Sequence, residues 1–332
     1  MSGGSQTPAI LERARNLVDP AIAAALGGLC TELRVPAEYH FQGRGKGTRP
    51  ALAILSAEAA GAPSETGVPG GVAIELIHDF SLIHDDIIDN DAERRHRATV
   101  WAKFGVGVGV IAGDALHALA FQTLLSDPTP PRVKAAKHLA EAISAMIAGQ
   151  SMDMAFEEMP NITLEQCLAM EQGKTGALLS YASSVGAILA GADDEVVERL
   201  ADYGMHMGIA FQAVDDLLGI WGDPERTGKP AGADLRERKK SVPVVIALNS
   251  GTSVADDLAD LYTRPELEAK DVSAARALVD VGGGREGTQA LARTHLGQAM
   301  SALDSVSQFP SVVSEAVEEM RSLAQFIVGR DF

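Results

Sequence analysis

The stretch His78-Asp-Phe-Ser-Leu-Ile-His-Asp85-Asp86-Ile-Ile-Asp89-Asn-Asp-Ala-Glu-Arg94-Arg95 constrains this chain more than any other. It is an apolar run interrupted by acids and closed by paired arginines. On a helix each residue turns about 100° and rises about 1.5 Å. Asp85 and Asp89 then lie one turn apart on one face, with His78 two turns earlier on the same face. The three span roughly 16 Å. Ile77, Leu82, Ile83, Ile87 and Ile88 fall on the opposite face and are expected in the core. Carboxylates on so apolar a helix need a positive partner, because burying a lone charge is costly. Acids one turn apart suit Mg2+, a hard cation that keeps several waters and also grips phosphate. An exposed acidic helix end is the plainer alternative.

Further along, a second apolar helix carries acids: Phe211-Gln212-Ala-Val-Asp215-Asp216-Leu-Leu-Gly219. Gln212 lies one turn before Asp216 and shares its face. A glycine- and proline-rich loop follows, with Lys229, Asp234, Lys239 and Lys240. Gln150 and Asp153 share a face in the run between the two acidic stretches, and Lys174-Thr175 interrupts another helix. Taken singly, these read as a surface pair, a snorkelling lysine and a solvated turn. Taken together, two Asp-bearing faces are expected to oppose each other across a bundle interior, as helical metal sites are built. Mg2+ there would bridge diphosphate oxygens, and loop lysines and arginines would neutralise the remaining charge.

The 332 residues are 46% apolar, ample for a large core. Plentiful alanine and few aromatics favour close-packed helices. A net charge of −17 argues against a nucleic-acid partner. Cys30 and Cys167 lack CxxC spacing and are expected to be buried, reduced core thiols. No signal region opens the chain, and no uncharged apolar stretch is long enough to span a bilayer. A cytoplasmic protein is expected.

Residues 1–7 read as a frayed end. Helical patterns run at about 8–26, 50–60, 72–90, 132–158, 163–190 and 194–221. Others follow at about 240–249, 255–261, 272–281, 285–306 and 311–328. GAPSETGVPGG reads as a loop. HFQGRGKGTRPAL, with Arg44, Lys46 and Arg49, reads as a flexible basic loop. The GVGVGV run fits no Walker motif and reads as close-packing glycines or a short connection. No period-2 alternation, repeat or dividing linker is evident. The expected fold is a single all-α domain over 1–332.

The motifs GRGKGTRP, ELIHDFSLIHDDIIDNDAERR, GQSMD, KTGALL, FQAVDD and GDPERTGKPAGADLRERKKSVPV occur in this order. Over about residues 40 to 330 the chain thereby resembles the trans-isoprenyl diphosphate synthases, the polyprenyl synthetase family, and most of all its geranylgeranyl diphosphate synthases. The resemblance implies antiparallel helices around a central cavity, a homodimer, and head-to-tail condensation of isopentenyl diphosphate with an allylic diphosphate. It assigns Asp85, Asp89 and Asp215 to Mg2+, with three ions when substrate is bound, and gives Asp86 and Asp216 supporting roles. It assigns Arg94, Lys174, Lys229 and Lys239 to the allylic diphosphate, and Lys46, Arg49, His78 and Arg95 to isopentenyl diphosphate. Thr175 and Gln212 would line the site near the allylic cation.

Two departures stand out. Gly219 replaces the last Asp of the second motif, which implies weaker or altered metal binding. Gly47-Thr48 replaces a basic and an apolar residue. Phe80 and Ser81, five and four places before Asp85, would floor the product cavity. A single aromatic with a small neighbour resembles synthases of a product of roughly twenty carbons, geranylgeranyl diphosphate, with farnesyl diphosphate second. A class I terpene cyclase would not need Lys46, Arg49 and His78. A non-catalytic partner subunit would be expected to lose the first-motif aspartates. His84 stays open between packing and support of the acids.

Overall fold

The computed structural model of the protein describes residues 8–43, 45–223, 232–264 and 266–329. Residues 1–7, Arg44 and Lys229 lie outside the described residues. The chain forms α1 (Ala9–Gly27), α2 (Thr31–Phe41), α3 (Thr48–Ala59), α4 (Ser64–Ile88), β1 (Glu93–Arg94), β2 (Arg97–Ala98), α5 (Val100–Phe104) and α6 (Val106–Leu125). It continues through α7 (Pro130–Glu157), α8 (Leu164–Glu171), a π-helical turn at Gln172–Gly176, α9 (Ala177–Ala190) and α10 (Asp194–Trp221). Further helices are Ala233–Arg236, Val242–Leu248, Ser253–Tyr262, Ala269–Val281, Gly284–Val306 and Ser314–Val328. The all-α expectation holds, apart from the two-residue strands of one hairpin.

The chain divides into two compact units. The first comprises Met1–Ile143, Leu178–Gly204 and Ala302–Leu323. Its centre is α3, buried from Pro50 to Ala57, as an almost wholly apolar helix must be. Glycines bring the neighbouring helices onto it. A Cβ at Gly67 of α4 would sit 2.5 Å from the Ala53 carbonyl oxygen, and one at Gly186 of α9 would overlap the same oxygen. The Gly186 amide instead donates to Ser56 Oγ at 2.9 Å, which satisfies a buried hydroxyl. These contacts explain why GAPSETGVPGG is helical from Ser64 and not the expected loop. Packing of its glycines against neighbouring helices outweighs their poor helix propensity.

Other expectations also need correcting. Helix α2 was absent from the apolar pattern. Cys30 precedes α2 and is exposed, while Cys167 is buried as expected. Ile88 closes α4 at 45% exposure, outside the core. The expected 163–190 helix is interrupted by the π-helical turn. The GVGVGV glycines divide their roles. Gly105, at φ 94°, makes the α5–α6 junction, and Gly109 lies against Ile87. Helix α6 is long and apolar enough, by length and composition, to cross a membrane. Asp114 interrupts it, so a search for uncharged stretches passes over it.

The second unit comprises Ser144–Ala177, Met205–Ser301 and Ala324–Phe332. Ile220, Leu235, Val244, Leu258, Val272 and Val279 form one of its cores. Phe156, Ile162, Cys167, Met170, Val242 and Val245 form another. Helix Val242–Leu248 contributes to both, which fixes the amide at its start against α10.

Candidate active site

In the first unit the acidic face forms at the C-terminal end of α4. Asp85 is half-buried and Asp89, the residue that caps the helix, is exposed. Asp86 turns the other way. It is 1% exposed and accepts from Arg94 Nε at 2.7 Å. Burial pushes its carboxyl above the usual range, and the Arg94 charge and hydrogen bond counter this. Its Oδ2 is buried with no hydrogen-bond partner among the described residues. Asp86 is thus an anchor for a cation and is not part of the acidic face.

The cations are delivered by the β1–β2 hairpin. Arg94 pairs with Arg97 across it, and the turn residues Arg95 and His96 both have left-handed backbone, at φ 51° and 60°. A two-residue turn of that handedness matches the twist of paired strands but disfavours residues other than glycine, asparagine and aspartate. The strain is held by contacts outside the turn. Arg95 Nη1 donates to the Gly43 carbonyl at 2.6 Å, Tyr39 Oη donates to the Ala98 carbonyl at 2.7 Å, and Arg97 stacks 4.5 Å from the Tyr39 ring. The basic loop before α3 is therefore tied to the hairpin. Arg15 Nη2 also holds it, donating to the Gly45 carbonyl at 2.6 Å.

His78 lies among these charges. Burial, then Arg49, His40, Arg95 and Arg94, hold its imidazole well below the ordinary range, so it is neutral at pH 7. Arg49 is lowered by burial and supported by Glu75 and Asp79. Asp79 in turn pairs with His40 Nε2 at 3.0 Å. Thus Arg49, His78, Arg94 and Arg95, separated in sequence, share one electrostatic neighbourhood. Lys46 is exposed on the basic loop. Sequence reasoning missed His40, because α2 carried no clear signal, and passed over Asp79 of α4, whose partner lies on α2.

The α4 turn preceding the acids carries the proposed floor. Phe80 meets His84 edge-on, with ring centroids 4.8 Å apart, and lies 5.3 Å from His117 of α6. His117 then meets Phe121 at 5.4 Å. His84 resolves as a packing residue. Its Nε2 is 3.0 Å from the Val110 carbonyl, and it lies over Gly113, where a Cβ would approach its Cδ2 to 2.5 Å. Ser81 Oγ donates to the His78 carbonyl at 2.8 Å.

In the second unit, Lys174 and Thr175 occupy the π-helical turn, a distortion common at functional positions. Lys174 Nζ donates to Asp153 Oδ2 at 2.6 Å. Thr175 Oγ1 donates to Gln212 Oε1 at 3.0 Å, and Gln212 Nε2 donates to Asp216 Oδ1 at 3.0 Å. The Val242 amide donates to Asp216 Oδ2 at 2.8 Å. This relay fixes Asp216, which is 5% exposed, while its neighbour Asp215 is exposed. Both acidic motifs therefore follow one plan, an outward carboxylate followed by a buried anchor. Lys240 Nζ donates to the Phe156 carbonyl at 2.6 Å, and Lys239 pairs with Glu237 on the surface. Gln150 is half-buried, with its Oε1 unpartnered among the described residues. Glu171, buried beside this set, was also missed, since nothing in its sequence context marks it.

A family model described as polyprenyl synthetase matches residues 30–279. The chain belongs to the polyprenyl synthetase family. The chain is 41% identical over 340 residues to (2E,6E)-farnesyl diphosphate synthase of Mycobacterium tuberculosis, covering 98% of this chain and 94% of that protein. It is 40% identical over 320 residues to geranylgeranyl diphosphate synthase of the same organism, covering 92% and 91%. The crystal structure of polyprenyl synthetase from Streptomyces coelicolor A3(2) matches with a TM-score of 0.91 at 44% identity, covering 96% of this chain and 99% of that one.

This polyprenyl synthetase thus has the all-α isoprenoid synthase fold and is a trans-prenyltransferase. The family's substrates are isopentenyl diphosphate and an allylic diphosphate, and it uses Mg2+ through Asp-rich motifs. The chemistry of the donors in each unit suits that ion. Asp85 and Asp89 in the first unit, and Asp215 in the second, each offer hard carboxylate oxygens, yet no three His, Cys, Asp or Glu among the described residues form a ligand cage. Mg2+ is typically held by one or two carboxylates, with waters and substrate phosphate completing the shell.

Proposed function

We propose that this enzyme condenses isopentenyl diphosphate with an allylic diphosphate to give geranylgeranyl diphosphate. The observation that carries this product length is the aromatic set Phe80, His84, His117 and Phe121 behind the first acidic motif. Phe80 is supported by two rings, so it makes a stiff floor. The farnesyl product is the second reading, favoured by the 41% identity to a farnesyl diphosphate synthase.

Asp85, Asp89 and Asp215 are assigned to Mg2+, with three ions when substrate is bound. Mg2+ supplies Lewis-acid stabilisation of charge on the departing diphosphate. Arg94, fixed by Asp86, and Lys174, fixed by Asp153, present preorganised positive charge to the allylic diphosphate. Lys239 adds to them, and Lys229 keeps the role assigned from the sequence. Lys46, Arg49 and Arg95 hold isopentenyl diphosphate, with His78 as a neutral hydrogen-bonding group. The allylic carbon–oxygen bond breaks, the alkene electrons of isopentenyl diphosphate form the new carbon–carbon bond, and a proton passes to the released diphosphate. No protein nucleophile is consumed. Thr175 and Gln212 hold fixed dipoles near the transient cation.

Incubation with Mg2+, isopentenyl diphosphate and farnesyl diphosphate should yield the twenty-carbon diphosphate, read by mass spectrometry. Recovery of unextended farnesyl diphosphate would favour the second reading. Phe80→Ala is expected to lengthen the product by at least one isoprene unit, because it removes the ring backed by His84 and His117. An unchanged product would remove Phe80 from the floor.

The enzyme is further proposed to act in the cytoplasm as a homodimer through α6. Val106, Val110, Ile111 and Leu125 of that helix are 38–53% exposed. Asp114 is exposed within the same helix. A charge at the centre of a membrane-spanning helix costs about 3 kcal/mol, so a second copy is the better cover. Light scattering should give twice the 34.8 kDa chain mass. A monomer, or recovery with lipid, would overturn it.

A further inference from the structure

A carboxylate from elsewhere in the chain lies beside Gly219, where the second motif lacks its last acid. A Cβ built on Gly219 would overlap Asp234 Oδ2 and come within 2.5 Å of Asp234 Cγ. The carboxylate of Asp234 therefore occupies the volume that a side chain at 219 would begin to fill. Asp234 is the second residue of the short helix Ala233–Arg236, which starts directly after Gly232, whose φ of 74° is left-handed. Leu235, the next residue, is fully buried in the same unit's core, which anchors the backbone that carries Asp234. We infer that Asp234 supplies the third carboxylate of the second acidic motif, delivered from the helix Ala233–Arg236 into the space that Gly219 leaves clear. Gly219 is then a requirement of this arrangement and not a loss.

A second observation points to a cation there. Glu171 is 4% exposed, and its Oε2 has no hydrogen-bond partner among the described residues. It lies in the same unit as Asp215, Asp216 and Asp234, directly before the π-helical turn that carries Lys174. The Asp234 carboxylate beside Gly219 and a buried acid oxygen lacking a donor both suit a divalent ion with its water shell. The inference rests on the proposed prenyltransferase reading, in which the second motif serves Mg2+.

The test is a swap, read by electron paramagnetic resonance of Mn2+ binding to the full chain with inorganic diphosphate. Asp234→Asn should weaken Mn2+ binding by about ten- to hundredfold, the loss typical of groups that support a metal shell. Asp257→Asn, which removes the same charge from an exposed position of the same unit, should leave binding unchanged. Gly219→Asp alone should lower the melting temperature, because the new side chain collides with Asp234. Gly219→Asp with Asp234→Gly should restore both stability and Mn2+ binding. Wild-type binding in Asp234→Asn would overturn the inference, as would a folded double variant that binds as weakly as Asp234→Asn. Elongation by the wild type is scored separately. Its absence counts against the prenyltransferase reading, whereas elongation with unchanged Mn2+ binding in Asp234→Asn counts against Asp234 alone.

Discussion

Asp85→Ala should reduce elongation by at least about a hundred- to thousandfold in kcat, the loss seen when a preorganised transition-state contact is removed. Asp85 is half-buried, one turn before Asp89 on the acid face of α4. The fold does not depend on it in the way it depends on Asp86, which holds Arg94 at 2.7 Å from a buried position. The Asp85 variant should therefore melt close to the wild type and still bind isopentenyl diphosphate, whose assigned ligands are Lys46, Arg49, His78 and Arg95. The loss should fall on kcat more than on KM for isopentenyl diphosphate. A variant retaining more than a tenth of wild-type turnover, measured with saturating Mg2+, would remove Asp85 from the metal set. Asp86→Ala gives the contrast. It frees Arg94 and should lower the melting temperature as well as turnover.

That contrast marks what the sequence can and cannot disclose. Helical periodicity separates Asp85 and Asp89 from Ile77 and Ile83, because 100° per residue fixes faces without knowledge of neighbours. It does not separate Asp86 from its neighbours, since its burial depends on the hairpin bringing Arg94 back eight residues later. The hairpin itself escaped notice because its strands have two residues each and its turn holds Arg95 and His96 at positive φ. No turn residue announces it. The α4 start was hidden for the opposite reason. Gly67, Gly70 and Gly71 look like a loop by propensity, but they are the residues that allow helices to touch. His84 needed Gly113 from another helix before its role was decidable. Gly219 read as a defect until Asp234 was placed beside it. In each case the missing information was a contact distant in sequence, while the pattern within a helix was legible.

The second large effect concerns stability and pH in the absence of Mg2+. Burial, partly offset by the Val242 amide and Gln212 and reinforced by Asp234 and Asp215, pushes the Asp216 carboxyl from 3.8 up to about 7. A folded-state value above the unfolded one means that the protonated form is favoured by folding. The contribution is fully present below pH 3.8 and is lost as the pH rises through about 7. Ionised Asp216 then costs about 4 kcal/mol relative to the neutral acid. Asp216→Asn cannot ionise. Its amide can accept from the Val242 amide and donate to a reoriented Gln212, so the relay through Thr175 survives. In EDTA the variant should be more stable than the wild type above pH 7. Its advantage should grow by about 2 kcal/mol between pH 5.5 and 8.5, read by urea denaturation. A difference that is flat across this range would show that Asp216 stays charged when buried. The growing difference would show that the apo-enzyme sacrifices stability at neutral pH to keep a carboxyl beside Asp215 and Asp234, where a divalent cation reverses the penalty. Adding Mg2+ with inorganic diphosphate should accordingly stabilise the wild type more than Asp216→Asn and close the gap between them.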